Sequence, residues 1–326
     1  MPQKRFKNIF ANNEGLPILD SMKNIAVFFK QPGAKDYPFT KEEYWNSYHE
    51  LDEVIRKLGS EFYVVRHQDT YVGNGLFSHS WRFKDGELVE FGPVNIDVLY
   101  DKGEFQTDNT IPILNGREIN EICTDKYKTY ELFGAYCPET LQVHSNDEFL
   151  QALKSIPGEK KVIKPVDDEE GNGVFIGDDA YIKKCPYEFP LLVQEFLDST
   201  KGIPGIIDGI HDFRVAILNG EIVYAFVRTP PEGSLLANIA LGGKMIILEA
   251  SEIPDSIMEV VNGVDSHMKQ YGIRFYGIDV AFTPRGPKII ELNSRLGLHE
   301  NSRHSVFVLF KQKLAELLVN LDTHGS

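Results

Sequence analysis

Two apolar runs near the carboxyl end of the chain carry Asp279 and Glu291 in their interiors; they read Tyr-Gly-Ile-Asp-Val-Ala-Phe and Lys-Ile-Ile-Glu-Leu-Asn-Ser. Between them, residues 283–287 read Thr-Pro-Arg-Gly-Pro, which are residue types that favour a turn, so a β-hairpin is predicted. If Phe282 pairs with Lys288 across this loop, Asp279 lies opposite Glu291. A carboxylate buried without a partner is costly, so the fold must supply partners for both acids.

Asn293 extends this pair to three oxygen-bearing side chains. It follows Glu291 by two residues, so both side chains lie on the same face of the strand. Two carboxylates and an amide oxygen suit a hard cation such as Mg²⁺ or Mn²⁺. The alternative is that Asp279 and Glu291 are ordinary solvated strand residues, but both are embedded in apolar sequence. We therefore expect Asp279, Glu291 and Asn293 to bind a metal ion.

The charge balance of the chain limits its partners. With 34 Lys and Arg against 48 Asp and Glu, the formal net charge is −14, which repels nucleic-acid backbones and disfavours membrane association. No apolar run approaches the length that spans a bilayer, and the basic residues 1–8 are not followed by a signal-peptide core. The three cysteines are far apart, which favours reduced thiols over disulfides. We expect a cytoplasmic protein with no nucleic-acid or membrane partner.

A length of 326 residues predicts two or three packed units. The first, residues 1–122, has an apolar run at 24–30, a helix with capping-box spacing from Thr40 to Glu43, and a strand at 61–66. This order predicts a small parallel α/β domain. Residues 73–90 read as an inserted hairpin.

Two α+β lobes are predicted to follow. In residues 123–198, Ser145 and Glu148 have the spacing of a capping box for a helix that buries Phe149, Leu150 and Leu153. The remainder, residues 199–326, carries four strands and two helices; the predicted strands are 213–218, 222–227, 275–282 and 288–292, and the helices are 257–268 and about 306–321.

Lys164 ends a strand that is followed by an acidic loop containing Gly171, Asn172 and Gly173. A strand lysine beside such a loop can pair with a phosphate while backbone N–H groups cradle it. A surface hairpin has the same pattern, and both interpretations stay open for this feature taken alone. The apolar strand at 191–197 has polar residues at Gln194 and Glu195. The backbone groups at its end could form hydrogen bonds with an adenine ring. The alternative, an edge strand that leaves the core, is the commoner case for this pattern taken alone.

Arginines on neighbouring strands form the last motif. Asp212 and Arg214 lie on one face of a strand, Arg228 follows on the next, and Asn238 precedes a Gly-Gly pair. Arginines in this arrangement suit planar anions such as phosphate or carboxylate. The alternative is a set of surface salt bridges with the plentiful acids.

Taken in order, these motifs resemble the ATP-grasp superfamily and are most similar to the glutathione synthetase and RimK-like carboxylate–amine ligases. The resemblance covers roughly residues 95–300. It rests on Asp125-Lys126, Val-Ile-Lys164-Pro, Gly171-Asn172-Gly173, Gln194-Glu195-Phe196-Leu197, Asp212-x-Arg214-Val, Arg228-x-x-Pro, Asn238-x-Ala-x-Gly242-Gly243, and Asp279 with Glu291-x-Asn293-Ser.

The resemblance implies an ATP-grasp fold, of mixed α/β and α+β class, preceded by a small parallel, Rossmann-like α/β domain. It implies that ATP lies between the two lobes, with Lys126 and Lys164 on its phosphates and the Gly171–Gly173 loop closing over them. The remaining implied roles are backbone contacts to adenine from Glu195 and Leu197, pocket walls from Gln194 and Phe196, ribose binding by Asp212, one or two Mg²⁺ on Asp279, Glu291 and Asn293, and acyl-phosphate contacts from Arg214, Arg228 and Asn238.

The activity that the resemblance implies is ATP-dependent joining of a small-molecule carboxylate to an amine through an acyl phosphate. Arg295, with His299 and Arg303, is expected to contact an acidic substrate. Two alternatives stay open: an ATP-binding regulatory protein without ligation, and an ATP-grasp phosphotransferase. Similar ligases often form dimers or tetramers, so a homo-oligomer is also open.

Overall fold

The structure, a computed structural model, describes residues 22–107, 109–167, 173–231, 243–301 and 304–321. Its amino-terminal part is an α/β unit with two sheets. The elements are, in order, β1 (Asn24–Phe29), α1 (Glu42–Lys57), β2 (Glu61–Arg66), β3 (Tyr71–Gly73), β4 (Leu76–Phe77), β5 (Trp81–Lys84), β6 (Glu87–Glu90), β7 (Val94–Asn95), β8 (Val98–Asp101) and β9 (Ile113–Leu114).

The predicted parallel pairing is confirmed, because β1 pairs in parallel with both β2 and β8. The six-stranded sheet has the order β6-β5-β2-β1-β8-β9, and the β5–β6 hairpin, from the predicted insertion, extends its edge. Helix α1 covers one face of β1, and the small β3-β4-β7 sheet covers the other. Strand β1 is therefore buried on both faces, as its unbroken apolar sequence indicates.

Helix α1 begins later than its predicted capping box. Its amino-terminal cap is Lys41, whose side chain makes no capping hydrogen bond, so the capping box from Thr40 and Glu43 is wrong. With Thr40 as the cap the helix would begin at residue 41, but it begins one residue later, at Glu42. Just after its end, Gly59 has φ +84°, a left-handed conformation that favours glycine after a helix.

The middle of the chain forms a smaller lobe around an antiparallel sheet of order β10-β13-β11-β12. Its elements are α2 (Arg117–Thr124), α3 (Lys126–Phe133), β10 (Thr140–Val143), α4 (Asn146–Ser155), β11 (Lys161–Pro165), β12 (Phe175–Gly177), α5 (Asp179–Ile182) and β13 (Leu191–Glu195).

The predicted cap of α4 is confirmed, since Ser145 Oγ accepts a hydrogen bond from Glu148 N at 3.3 Å. Phe149 and Leu153 pack into the core of this lobe, whereas Leu150 is 42% exposed. Burial of Leu150 was therefore a wrong prediction. The residue after Phe149 lies about 100° further round the helix and leaves the apolar face.

The carboxyl-terminal lobe is built on an antiparallel sheet of order β16-β15-β14-β17-β18. Its elements are β14 (Asp212–Leu218), β15 (Glu221–Thr229), β16 (Lys244–Leu248), α6 (Asp255–Met268), β17 (Phe275–Thr283), β18 (Gly286–Asn293) and α7 (Ser305–Asn320). Among the described helices, none has the length and apolar character that crossing a bilayer requires.

The two faces of this large sheet belong to different cores. One face packs on α6, and the other packs partly on α7, which also contacts α1. The ring of Phe310 in α7 lies 5.0 Å from Phe275 and 5.2 Å from Tyr224. The amino-terminal unit and the large sheet therefore share one hydrophobic core. Helix α7 covers only part of its face of the large sheet, and polar residues occupy the rest of that face.

The β17–β18 hairpin has the predicted alignment of Asp279 with Glu291, but its turn and its register differ from the prediction. Phe282 pairs with Pro287 rather than with Lys288, because the turn is tighter than expected. A β-bulge between Asp279 and Val280 then adds one residue to the opposite strand, and Asp279 faces Glu291. The two offsets cancel, so the predicted opposition of Asp279 and Glu291 is confirmed although the Phe282 pairing is wrong.

Candidate active site

Polar residues from four neighbouring strands form a row across the large sheet. Arg228 of β15 pairs with Asp212 of β14, and Arg214 of β14 pairs with Asp279 of β17. Glu291 of β18 continues the row opposite Asp279. Directly opposed residues on antiparallel strands have neighbouring side chains, so the register alone brings these groups together.

Asp279 is the centre of this row and is only 1% exposed. Arg214 Nε donates to Asp279 Oδ1 at 2.5 Å, and Arg214 Nη2 donates to Oδ2 of the same carboxylate. Arg228 Nη2 donates to Asp279 Oδ2 at 3.0 Å and also donates to Asp212 Oδ2. The buried carboxylate is tolerated because two guanidinium groups compensate its charge.

This environment separates the pKa values of the two aspartates. Burial alone would raise the pKa of Asp279, but Arg214 and Arg228 outweigh it and lower the pKa. Burial, followed by the charge of Asp279, raises the pKa of Asp212 to about 7. Asp279 is therefore ionised at neutral pH, and it raises the pKa of Arg214 against the effect of burial.

Asn293 bridges the two carboxylates that were predicted to bind metal. Its Nδ2 donates to Asp279 Oδ2 at 3.2 Å and to Glu291 Oε1 at 3.1 Å. The NH₂ group of Asn293 thus lies between the two carboxylates. Rotation of the amide by half a turn would place its Oδ1 in that position instead. No group of three His, Cys, Asp or Glu side chains among the described residues is arranged to hold a metal, so a cation here needs the amide as its third ligand. The donor set fits Mg²⁺.

Lys164 forms the opposite wall, on the sheet of the smaller lobe. Its Nζ donates to Ile290 O at 3.3 Å, so it reaches β18 beside Glu291. Ile290 is the extra residue of the β-bulge. Burial lowers the pKa of Lys164 to about 8, so the ammonium keeps its charge at neutral pH but loses it in mild alkali.

The residues predicted around adenine lie at the end of β13 in this smaller lobe. Gln194 is buried, and its Nε2 donates to Thr140 Oγ1 at 2.8 Å. Glu195 Oε1 accepts from Arg285, which sits in the β17–β18 turn of the other lobe. The Phe196 ring lies 5.7 Å from Lys160 Nζ, and Leu197 is half-buried.

The other predicted residues are distributed as follows. Lys126 is the first residue of α3, and its N–H donates to Val166 O at 3.1 Å. Gly173 has φ +66°, and a Cβ there would lie 2.9 Å from Pro165 Cγ, so this backbone position requires glycine. Gly171, Asn172, Asn238, Gly242 and Arg303 lie outside the described residues.

Arg295 does not join the row. It lies on the loop after β18, where it donates to Glu104 of the amino-terminal unit. His299 stacks on Phe307 with 4.4 Å between ring centroids, and its carbonyl accepts from Lys311. The structure therefore places His299 against the aromatic core rather than beside Arg295.

Three residues of this region were not predicted. Phe226 lies between the two arginines, with its ring 5.9 Å from the Arg214 guanidinium and 5.7 Å from that of Arg228. Its position two residues before Arg228 was a usable signal, because strand side chains alternate. Thr140 and Arg285 gave no such signal, since each meets its partner only through the tertiary fold.

A cavity of about 2180 Å³ adjoins this region. Lys164 and Gly173 line it on the side of the smaller lobe, and Asp101 and Glu104 line it on the side of the amino-terminal unit. The polar row of the large sheet lies outside its lining. Lys164 is therefore the residue that connects the cavity with the carboxylate-bearing hairpin.

The family model described as the ATP-grasp domain of prokaryotic glutathione synthetase matches residues 126–296. A probable alpha-L-glutamate ligase of Psychromonas ingrahamii is 26% identical over 205 residues, covering 60% of this chain and 61% of that protein. The chain thus spans about three-fifths of the length of this curated relative.

Solved structures share the fold at low identity. The VanG D-Ala:D-Ser ligase of Enterococcus faecalis has a TM-score of 0.63 at 13% identity, covering 92% of this chain and all of that one. The ATP-grasp ligase PsnB, complexed with a phosphomimetic variant of a minimal precursor, Mg and ADP, has a TM-score of 0.55 at 14% identity, covering 91% and 100%. With a family model matching more than half of its length, the chain belongs to the ATP-grasp family represented by this domain of prokaryotic glutathione synthetase.

Proposed function

We propose that this protein is an ATP-dependent ligase that joins a carboxylate to an amine through an acyl phosphate and releases ADP and phosphate. One observation carries the proposal: the arginine-bound Asp279 with Glu291 and Asn293 on one lobe, and Lys164 on the other, meet at β18. Family membership supports it. The substrates would be amino acids or peptides with one free carboxylate and one free amine.

The nucleotide would lie between the two lobes. Lys164 already contacts β18, and it would exchange the Ile290 carbonyl for a phosphate oxygen, with Lys126 and the glycine loop before Gly173 on the same phosphates. Glu195 and Leu197 would contact adenine through backbone groups, between Gln194 and Phe196. Asp212 would meet the ribose while its carboxylate also accepts from Arg228.

Asp279, Glu291 and Asn293 would hold Mg²⁺. When bound there, this ion would neutralise charge on the nucleotide phosphates and favour transfer of the terminal phosphoryl group. Asp279 is kept ionised for this role by Arg214 and Arg228, which lower its pKa. The three side chains already approach one another within hydrogen-bond distance, and the Asn293 amide would rotate to present Oδ1 to the ion.

The arginines would supply the remaining charge compensation. The substrate carboxylate attacks the terminal phosphorus of ATP, forming one P–O bond and breaking another to release ADP. The amine then attacks the acyl carbon, loses a proton and expels phosphate. Arg214, Arg228 and Asn238 would neutralise oxygens that gain charge in these steps. No side-chain nucleophile is needed, because positioning and charge compensation suffice.

The test is an assay of ADP release from ATP with a panel of amino acids and peptides, followed by mass spectrometry of the product. We expect release only when both a carboxylate and an amine are present, and a product lighter than its two components by one water. If ATP binds but no combination stimulates release, the ligase proposal fails and a regulatory role is favoured. A product heavier by one phosphoryl group would identify a phosphotransferase instead.

Other features of the proposal remain predictions from the sequence. We propose the boundaries 1–122, 123–198 and 199–326 for the three units, and limited proteolysis would test them. The cytoplasmic location, the lack of nucleic-acid and membrane partners, and a homo-oligomeric state are likewise predictions. Fractionation of cells would test the location. Light scattering of the purified protein would test the oligomeric state.

A further inference from the structure

The cavity beside Lys164 has an acidic lining. Among the 33 described residues that line it, seven are acidic and three are basic, which is an excess of four negative charges. The whole chain has a net charge of −14 over 326 residues, so negative charge is denser in this lining than on average. A concave surface of one sign attracts a ligand of the opposite charge.

The basic side chains of the lining leave most of this charge uncompensated. Arg117 Nε donates to Glu121 Oε1 at 2.6 Å, and Lys128 Nζ donates to Glu121 Oε2 at 2.9 Å. Two of the three cations therefore pair with a single carboxylate. The third, Lys164, donates to the carbonyl of Ile290 on the other lobe.

Three exposed acids of the lining have no cation beside them. Glu118 belongs to α2, Asp167 follows β11, and Glu188 lies in the loop before β13. Within the part of the chain that the structure describes, no side chain forms an ion pair with any of the three. Glu104 differs from them, because two cations outside the lining already pair with it.

A buried amide in the same lining lacks a hydrogen-bond donor. Asn120 of α2 is 5% exposed, and its Nδ2 donates to Asp101 Oδ2 at 2.9 Å and to Asn115 O at 2.8 Å. Its Oδ1 is buried and accepts from none of the described groups. The amide cannot be turned round, because Oδ1 would then face two acceptors. An N–H group of a ligand in the cavity would supply the missing donor.

The size and the walls of the cavity favour an organic cation over a metal ion. The described residues contain no group of three His, Cys, Asp or Glu side chains arranged to hold a metal. The volume of about 2180 Å³ exceeds the roughly 300–1,000 Å³ of common small-molecule sites, so an extended chain fits. Phe105, Ile111 and Phe189 add apolar wall that suits the methylene groups of such a chain.

We propose that this cavity binds the amine substrate of the ligase, and that this substrate is an elongated organic cation with at least two amino groups, such as a lysine-containing peptide or a polyamine. One amino group, in its neutral form, makes the new C–N bond while the C–O bond to phosphate breaks, and its proton leaves with the phosphate. The others stay protonated near Glu118, Asp167 and Glu188, and Asn120 Oδ1 accepts from one N–H. The inference rests on the proposed ligase function and names the class of its amine substrate.

Calorimetry on the full chain, with Mg²⁺ and a non-hydrolysable ATP analogue, tests the proposal. The probes are tri-L-lysine, the same peptide with its three side-chain amines acetylated, and spermidine. We expect tri-L-lysine to bind about tenfold more tightly than the acetylated peptide. The double variant Glu118→Gln/Glu188→Gln should weaken tri-L-lysine by about fivefold to tenfold and leave the acetylated peptide nearly unchanged. Both replaced side chains are exposed, so the fold should be kept.

The matched control is Glu53→Gln/Glu259→Gln, which removes the same charge from two exposed glutamates outside the cavity lining. It distinguishes binding in the cavity from general attraction of a cation to a chain of net charge −14. If the two peptides bind equally, or if the two double variants behave alike, the proposal is overturned. Tighter binding of tri-L-lysine than of spermidine identifies a peptide and the reverse a polyamine, and either result supports the proposal.

ADP release separates this inference from the ligase proposal. We expect tri-L-lysine to stimulate release when an acid is present, and Glu118→Gln/Glu188→Gln to raise its KM by a similar factor with kcat nearly unchanged. Selective binding without ADP release would refute the ligase, and with it the substrate role, while keeping the cation-binding cavity. Release with neutral amines and no preference for tri-L-lysine would keep the ligase and overturn this inference.

Discussion

Arg214 and Asp279 face each other on neighbouring antiparallel strands, and the guanidinium donates to both oxygens of the carboxylate. The pair is buried, and Arg228 adds a second cation to the same carboxylate. Asp279 therefore has a structural role as well as its proposed role in metal binding. Glu291 is less buried, accepts from Asn293 Nδ2 and shares a hydrogen bond with Asp279, and its replacement allows the two roles to be separated.

Replacing each carboxylate should show this separation. Asp279→Asn leaves two buried guanidinium groups without full compensation, and we expect the free energy of unfolding to fall by about 3–5 kcal/mol, with loss of activity. Glu291→Gln should change the free energy of unfolding by less than about 1 kcal/mol and still lower ADP release by about a hundredfold or more. Chemical denaturation and the ADP assay measure the two effects. Equal loss of stability in both variants would contradict this division.

Lys164 should make nucleotide affinity depend on pH. Its pKa is lowered to about 8 by burial, so the free ammonium is mostly charged at pH 7 and mostly neutral at pH 9. We expect the ATP affinity of the unmodified protein to fall by about tenfold over this interval. The Lys164→Met variant should bind ATP more weakly, with an affinity that does not change between pH 7 and pH 9. The folded-state pKa lies below the unfolded value, so Lys164 also makes stability rise with pH between about 8 and 10.5. An unchanged pH profile in Lys164→Met would exclude Lys164 as the titrating group.

The adenine contacts should depend on backbone groups rather than on the Glu195 side chain. That side chain accepts from Arg285, whose side chain is 61% exposed, so Glu195→Gln should leave ATP affinity within about threefold. Leu197→Pro removes one backbone N–H and should weaken ATP by about tenfold. Binding of a fluorescent ATP analogue measures both. A large loss in Glu195→Gln with a normal Leu197→Pro would reverse the assignment.

The cysteines should differ in reactivity. Burial raises the pKa of Cys123 well above its ordinary value and raises that of Cys137 to about 12, while Cys185 is partly exposed. A thiol reagent at pH 8 should therefore modify Cys185 first, and the other two only after denaturation. Cys185→Ser should show almost no native labelling. Fast modification of Cys123 in the native protein would contradict this burial.

The sequence predicted the elements of the fold better than their contacts. Local patterns identified β1, α4 and the β17–β18 hairpin, because alternation, capping residues and turn residues act over a few positions. The shared core of Phe275 and Phe310 could not be predicted, since no local pattern says which helix covers which sheet face. The exposed Leu150 was missed because Phe149 and Leu150 are adjacent apolar residues, and only one of them can lie on the apolar face of the helix.

Most of the polar row was also accessible from the sequence. Asp279 and Glu291 were paired correctly although the assumed turn was wrong, because the bulge at Ile290 cancels the shorter turn. The hydrogen bonds from Arg214 and Arg228 to Asp279 were not predicted, because a long connection separates β17 from β14 and β15 in the sequence. The Arg285–Glu195 contact joins residues 90 positions apart in the sequence and depends on how the two lobes meet.

The bulge at Ile290 has a further consequence for how tolerant this hairpin is to change. Ile289 and Leu292 both pack in the core on the α6 face, which a regular strand would forbid because residues three apart lie on opposite faces. Deleting Ile290 would leave these two residues two positions apart, so both could still face α6 in a regular strand, with Glu291 opposite Asp279. The deletion would instead remove the Ile290 carbonyl that accepts from Lys164 Nζ, so this one irregular position serves the contact between the two lobes rather than the alternation of the strand.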